Sequence, residues 1–175
     1  MTMTQVLQKL DESFFLRDVL IVAPELIGKY LVQKNGTETR VYTILETEAY
    51  RGETDLACHA CKGRTKRTEI MYHTGGHLYT YLIYGMYWML NIVTGPADHP
   101  EAVLLRGIEG FGGPGKLTRK LGIDGTYYGE HLCKSERIWI ADGGIVPSFF
   151  TTPRIGIDYA GEPWISKPWR YIIKK

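Results

Sequence analysis

Glu46 and Glu48 stand two residues apart in the run Glu46-Thr-Glu-Ala-Tyr50, with Tyr50 two residues further on. His59 follows closely. A second run, His77-Leu-Tyr-Thr-Tyr-Leu-Ile-Tyr-Gly-Met-Tyr-Trp-Met-Leu-Asn91, adds several tyrosines and an asparagine. Aromatic faces can hold a flat, electron-poor ring by stacking while a neighbouring carboxylate acts on a bond beside it. In a strand, residues two apart share a face, so Glu46, Glu48 and Tyr50 point one way. By the same rule Tyr79 and Tyr81 lie opposite Leu78 and Leu82. Acids facing a core are rare unless paired or functional, so the plain alternatives are a wet face for the acids and core packing for the tyrosines. Spacing alone leaves both open. Tyr84-Gly85-Met86 falls at an expected turn, where an exposed ring could serve as a wedge in a base stack.

These residues need elements to position them. Val41–Tyr50 alternates as a strand and follows Asn35-Gly36, a strong short hairpin signal. Asp18 can cap a helix whose buried face runs through Leu20, Leu26, Ile27, Tyr30 and Leu31; Pro24 suits only its first turn, which moves the start towards Ala23. Residues 1–17 read as a mostly polar lead-in, the first fifteen less ordered. Residues 51–69 read as an exposed loop carrying Arg51, Lys62, Arg64, Lys66 and Arg67. Further strands are expected at Leu78–Ile83, Tyr87–Val93, Ala102–Ile108, Ile138–Ala141, Arg154–Ile157 and Trp169–Ile173, with a short helix at Leu117–Leu121 closed by Gly122. No repeat or linker divides residues 1–175, and the strands do not alternate with long helices. The expected fold is α+β, one compact domain around a curved, mostly antiparallel sheet with a few helices.

The chain has 175 residues, 44% hydrophobic and 23% charged, which suits one folded soluble domain and excludes a disordered chain or a coiled coil. A formal net charge of +2 is not that of a polycation, so any nucleic-acid binding must come from local clusters of charge. Met1–Leu10 lacks a basic stretch followed by an apolar one, and the apolar runs are too short to span a bilayer, so neither a secretory signal nor a membrane partner is expected. Three cysteines form an odd set in a chain large enough to fold without disulfides, which points to a reducing, cytoplasmic setting.

Two motifs mislead. Gly110-Phe-Gly-Gly-Pro-Gly-Lys116 fits G-x-x-x-x-G-K, and Ile138-Trp-Ile-Ala-Asp142 resembles its acidic partner strand, but Leu117 stands where a magnesium-binding Ser or Thr belongs. Lys116 at a helix start remains a candidate for a DNA phosphate. Cys58, His59, Cys61, His73 and His77 tempt a zinc assignment, yet their spacing is irregular; no metal and no cofactor is expected.

Taken together, the motifs resemble the alkyladenine (3-methyladenine) DNA glycosylase family. The matching stretches are Leu26-Ile-Gly-Lys-Tyr-Leu-Val, Glu46-Thr-Glu-Ala-Tyr-Arg-Gly, Asp55 through His59, Arg64-Thr-Lys-Arg-Thr, and Gly76-His-Leu-Tyr-Thr-Tyr-Leu-Ile-Tyr-Gly-Met through Asn91. Ala102-Val-Leu-Leu-Arg106, Gly113-Pro-Gly-Lys-Leu and Arg154-Ile-Gly-Ile follow, in the family's order over nearly the whole chain. The resemblance implies a monofunctional hydrolase that flips alkylated or deaminated purines out of duplex DNA in base-excision repair. It makes Glu48 the base that activates water and has Tyr50, His59 and Tyr81 enclose the flipped base. Asn91 crowds the position of a guanine amine, Tyr84 fills the gap in the duplex, and Arg106 contacts the DNA backbone. It also implies a protruding hairpin, a monomer, and the bacterial nucleoid as the place of work. Arg64, Lys66, Arg67 and Lys116 are expected to touch phosphates. Departures from the pattern include Met71-Tyr-His-Thr-Gly-Gly-His and the cysteines; Tyr72 and Cys58 are expected to border the pocket and bear on which lesions enter. The competing readings are a damage-binding protein without turnover on the same scaffold and a nucleotide hydrolase using Gly110–Lys116.

Overall fold

Asp11 and Asp18 each cap a short helix, their carboxylates accepting the Phe14 and Leu20 amides at the starts of α1 (Glu12–Phe15) and α2 (Val19–Glu25). The computed structural model describes residues 7–144 and 146–174 of the chain. The capping is direct, so α2 begins at Val19, before the expected Ala23. Pro24 falls near its end, where a missing N–H stops propagation. Tyr30 and Leu31 therefore open strand β1 (Tyr30–Asn35) and do not extend the helix. Phe15 is fully buried in the main core, so residues 11–15 are structured and not a loose lead-in; residues 1–6 of that expectation lie outside the described residues.

Asn35-Gly36 makes the hairpin it signals: Asn35 pairs with Glu38 at the start of the fourteen-residue β2 (Glu38–Arg51), with Gly36 at φ +59° in the turn. The strands that follow are β3 (Leu78–Ile83), β4 (Tyr87–Thr94), β5 (Glu101–Ile108), β6 (Phe111–Gly112), β7 (Ile138–Ala141), β8 (Phe149–Thr152) and β9 (Arg170–Ile173). Helix α3 (Pro114–Leu121) lies between β6 and β7 and ends on Gly122 in the left-handed conformation. The sheet runs β3-β4-β5-β2-β1-β7, with β6 on β5, β9 on β2 and β8 on β9, and every pairing is antiparallel. The fold is α+β in a single compact domain, and no described helix is long and apolar enough to cross a membrane.

Alternation divides the sheet into two working faces. Leu78, Leu90, Ile92, Val103, Leu105, Ala49 and Tyr171 turn to one side and pack with α2 and α3 as the main core. The residues between them, Tyr79, Tyr81, Asn91, Leu104, Arg106, Glu46, Glu48 and Tyr50, turn to the other side.

Two segments cover that second face. Residues 52–76, expected as an exposed loop through position 69, bury Asp55, Ala57, Cys58 and Ala60 and form a smaller core with Met71, Tyr79 and Val93. Residues 153–165 pack Ile157 and Ala160 against Ala57. Arg154–Ile157 is not a strand, as was expected, because Arg154 leaves the sheet to pair with Asp55. Its Nη1 and Nη2 donate to the two Asp55 oxygens at 2.6 and 3.0 Å, and both side chains are fully buried. Asp55 also accepts the Arg51 and Ala57 amides, and Arg154 donates to the Ala49 carbonyl. Removing one member of such a pair strands the other charge in the interior. Asp55→Ala should cost about 3–5 kcal/mol in urea unfolding, with the largest loss of amide-exchange protection in residues 52–76 and 153–165.

Candidate active site

The covered face of the sheet encloses a cavity of about 510 Å³, within the range of roughly 300–1,000 Å³ usual for small-molecule sites. Tyr50, His59, Tyr79, Tyr81, Asn91 and Arg106 line it, with Ile155 and Tyr159 from the segment 153–165 closing the opposite side. Strand geometry accounts for the aromatic set: Tyr79 sits across from Asn91, and Tyr81 from Met89, on neighbouring strands. His59, at the start of a 3-10 turn His59–Lys62, leans edge-on against Tyr81 with ring centroids 4.6 Å apart. Its Nδ1 and the Tyr79 hydroxyl share a hydrogen bond of 2.9 Å. Burial, aided by Arg67 and Lys62, pushes the imidazole down to about 4, so His59 is neutral at physiological pH.

Glu48 lies just behind this wall, at 0% exposure. The Tyr50 hydroxyl donates to its Oε2 at 2.8 Å and the Ile155 amide to its Oε1 at 2.8 Å, while Arg106 Nε stands 3.6 Å from Oε1. Burial is the largest influence on this carboxyl and raises it above the usual range; Arg106, the Ile155 amide, the Tyr50 hydroxyl and Arg154 all act the other way. Burial, then the charge of Glu48, keeps Tyr50 protonated and donating. The result is a carboxylate held by two hydrogen bonds with a guanidinium nearby, and kept more basic than a surface acid.

The remaining expected residues divide. Asn91 is buried in the cavity floor, its Nδ2 donating to the Tyr79 carbonyl at 3.1 Å. Tyr84 stands at the tip of the β3–β4 hairpin, 88% exposed and at φ +52°, beside the exposed Met86. Arg67 reaches the cavity and lies over the Tyr81 ring, its guanidinium carbon 5.0 Å from the centroid. Arg106 is a wall residue already shared between Glu46 and Glu48. Arg64 is turned away: it forks onto Glu69 at 2.7 and 2.8 Å, reaches Asp98 at 3.2 Å and covers Tyr72. Lys66 and Lys116 are exposed and outside the cavity wall. Cys58 borders the cavity, whereas Tyr72 does not, since its hydroxyl is drawn to Glu53 at 2.6 Å.

The misleading motifs resolve on geometry. Gly110–Gly113 does not wrap a phosphate-sized hollow; Phe111 and Gly112 fold back on β5 as a tight hairpin. Asp142 is at the far edge of the sheet, ion-paired with Lys29 at 2.7 Å. Among the described residues no three His, Cys, Asp or Glu side chains converge on one point.

Sequence reasoning gave no role to Arg154, Ile155 or Tyr159. Arg154 is stacked between Tyr50 and Trp169, with its guanidinium carbon 4.8 and 5.0 Å from the two centroids. The signal available was an arginine between apolar residues in a stretch that reads as a strand, an unusual place for a charge without a buried partner.

Holding Glu48 ionised in this setting has a stability cost. Its folded-state pKa is raised, so the folded form favours the proton and the penalty on the ionised carboxyl is present above that pKa. Glu48→Gln should therefore melt higher than the parent chain at pH 7, and the difference should vanish as pH falls below the ordinary glutamate range, read by thermal unfolding from pH 4 to 8.

Comparison with known proteins sets this site in context. The family model described as "Methylpurine-DNA glycosylase (MPG)" matches residues 13–112 and 110–175. A protein of Psychrobacter cryohalolentis is 45% identical over 192 residues, covering 91% of this chain and 89% of the relative. One from Legionella pneumophila strain Corby is 42% identical with 96% of both chains covered, and one from Myxococcus xanthus is 43% identical with 94% and 90% covered. Each of the three carries the name "Putative 3-methyladenine DNA glycosylase". Matched over nearly its whole length by the family model, the chain belongs to the methylpurine-DNA glycosylase family.

Proposed function

We propose that this protein is a monofunctional DNA glycosylase that removes 3-methyladenine and related alkylated or deaminated purines from double-stranded DNA, leaving an abasic site. The observation that carries the proposal is the Glu48 carboxylate, fully buried, held by two hydrogen bonds and faced by Arg106 at 3.6 Å, immediately behind an aromatic cavity. A protein that only bound damage would gain nothing from an acid near anionic DNA.

A base within a duplex cannot be attacked at its sugar bond, so it must rotate out at a cost of a few kcal/mol, least for a lesion that pairs badly. Tyr84, projecting from the hairpin tip, fills the gap. Stacking on Tyr50, Tyr81 and His59 returns about 1–3 kcal/mol per base. A methylated purine carries positive charge, which tyrosine faces favour and which a protonated histidine would oppose. The neutral state of His59 fits that requirement. Asn91, fixed on the Tyr79 carbonyl, stands as a rigid group on the floor where a guanine amine would collide.

A cationic base departs without being protonated, so one carboxylate suffices where sugar hydrolases use two. Water entering between Tyr50, Arg106 and Ile155 meets Glu48. The carboxylate takes its proton as the oxygen attacks the sugar carbon and the bond to the purine breaks, the electron pair leaving with the base. Its negative charge also faces the positive charge developing on the sugar. Among the described residues, no lysine lines the cavity, which supports hydrolysis without a Schiff base on the sugar. Arg67 and Arg106 at the cavity, with the exposed Lys66 and Lys116, supply phosphate contacts, while Arg64 is committed to Glu69.

Single-turnover release of 3-methyladenine, a cationic base, from methylated duplex DNA tests the reading. Free base should be released in the presence of chelator. Glu48→Gln should lower the rate by about 10²–10⁴-fold while lesion binding persists. Tight binding without release by the parent chain would make it a damage sensor instead. In the parent enzyme the rate should fall with acidity, starting above the ordinary glutamate range, because the raised Glu48 must be ionised to act.

Tyr84 gives an independent check. Its left-handed backbone is one a glycine adopts freely, so Tyr84→Gly should leave the unfolding midpoint unchanged or higher. Excision by this variant should fall about 5- to 150-fold, the loss of one stacking contact worth about 1–3 kcal/mol.

A further inference from the structure

Glu46 takes no part in the chemistry above, yet the fold places it with care. The ladder between β2 and β5 is irregular on both sides of Glu46, and such a bulge re-aims a side chain. Opposite it stands Gly107, where an added Cβ would lie 3.2 Å from the Glu46 Cβ, so a larger residue there would crowd the Glu46 side chain. Thus positioned, Glu46 Oε1 accepts from Arg106 Nε at 3.1 Å and from Arg170 Nε at 2.6 Å. The same Arg106 nitrogen is 3.6 Å from Glu48 Oε1. One guanidinium thus stands between two carboxylates, and the nearer of the two is the one outside the reaction.

We infer that Glu46 is a positioning residue that draws Arg106 towards itself, so that Glu48 faces a shared guanidinium and not an undivided ion pair. The inference rests on Glu48 being the base.

The charges facing Glu48 explain why this matters. Tyr50 approaches from its own strand, Tyr81 from β3, Arg106 from β5, Arg170 as register partner on β9, and Arg154 with the Ile155 amide from the covering segment. The tyrosines and the amide are neutral, and Arg154 is neutralised by Asp55. Besides Glu48 itself, Glu46 is the carboxylate that pairs with the two remaining guanidinium groups, Arg106 and Arg170, among the described residues. Without its charge, Arg106 is free to close on Glu48, and an opposite charge in contact favours the ionised form and weakens it as a base. Arg106 would also leave the position from which it lines the cavity.

The test is the pH dependence of single-turnover excision by Glu46→Gln and Glu46→Asp beside the parent and Glu48→Gln. Glu46→Gln keeps an acceptor and the size but loses the charge. Its acidic limb should move to lower pH by about one unit. Its plateau rate should fall roughly tenfold to a hundredfold, with lesion-duplex affinity little changed. Glu46→Asp keeps the charge and should retain the parent's limb even where its shorter reach slows the rate. An unshifted limb in Glu46→Gln, or a loss confined to its unfolding midpoint, would overturn the positioning role. Should the parent release no base, or Glu48→Gln release it as fast as the parent, the glycosylase reading itself fails, which separates the two.

Discussion

Two-residue periodicity along β2 governs both faces of this molecule at once. Thr47 and Ala49 are buried towards the helices, while Glu46, Glu48 and Tyr50 turn to the cavity side of the sheet, where Tyr50 lines the cavity and Glu48 lies just behind its wall. A register slip of one residue would carry two acids into the apolar core and leave the site with a threonine and an alanine. The hydrophobic packing of Val103, Leu105 and Ile92 against α2 and α3 therefore does more than stabilise the sheet. By fixing which side of each strand is inward, it fixes which side chains can reach a ligand.

The site also depends on long-range closure. Glu48 belongs to a strand in the first third of the chain, but the Ile155 amide that holds it comes from 107 positions further along. The Asp55–Arg154 pair anchors this covering segment, and Arg154 stacks on Tyr50, the donor to Glu48. Buried charge here serves geometry: it sets the segment's position to within a hydrogen bond, which apolar packing alone does less sharply.

Much of this was legible in the chain because the signals were local. Asp18, Asn35-Gly36, the alternation of Val41–Tyr50 and the glycine after α3 act over a few residues, and the elements form where those residues require them. Glu48, Tyr50, Tyr81 and Asn91 meet because period-two spacing on successive strands is visible in sequence. The misreadings arise where distant residues decide. Arg154–Ile157 has strand composition but is pulled away by Asp55, and residues 52–69 look solvated although Asp55, Cys58 and Ala60 are buried beneath them. Arg64 reads as a phosphate ligand until Glu69 and Asp98 are seen to occupy it. Charge alone cannot reveal whether a partner within the fold has already claimed it.

Cys58 forms part of the cavity wall, and burial pushes its thiol up to about 12. At neutral pH only about one such thiol in 10⁵ is the thiolate, the form that attacks electrophiles. The reagents that methylate purines also methylate thiolates. A repair enzyme works while those reagents are present, and a reactive cysteine in its cavity wall would turn the enzyme into a target of the damage it repairs. Kept protonated and shielded, this sulfur is a chemically silent neighbour.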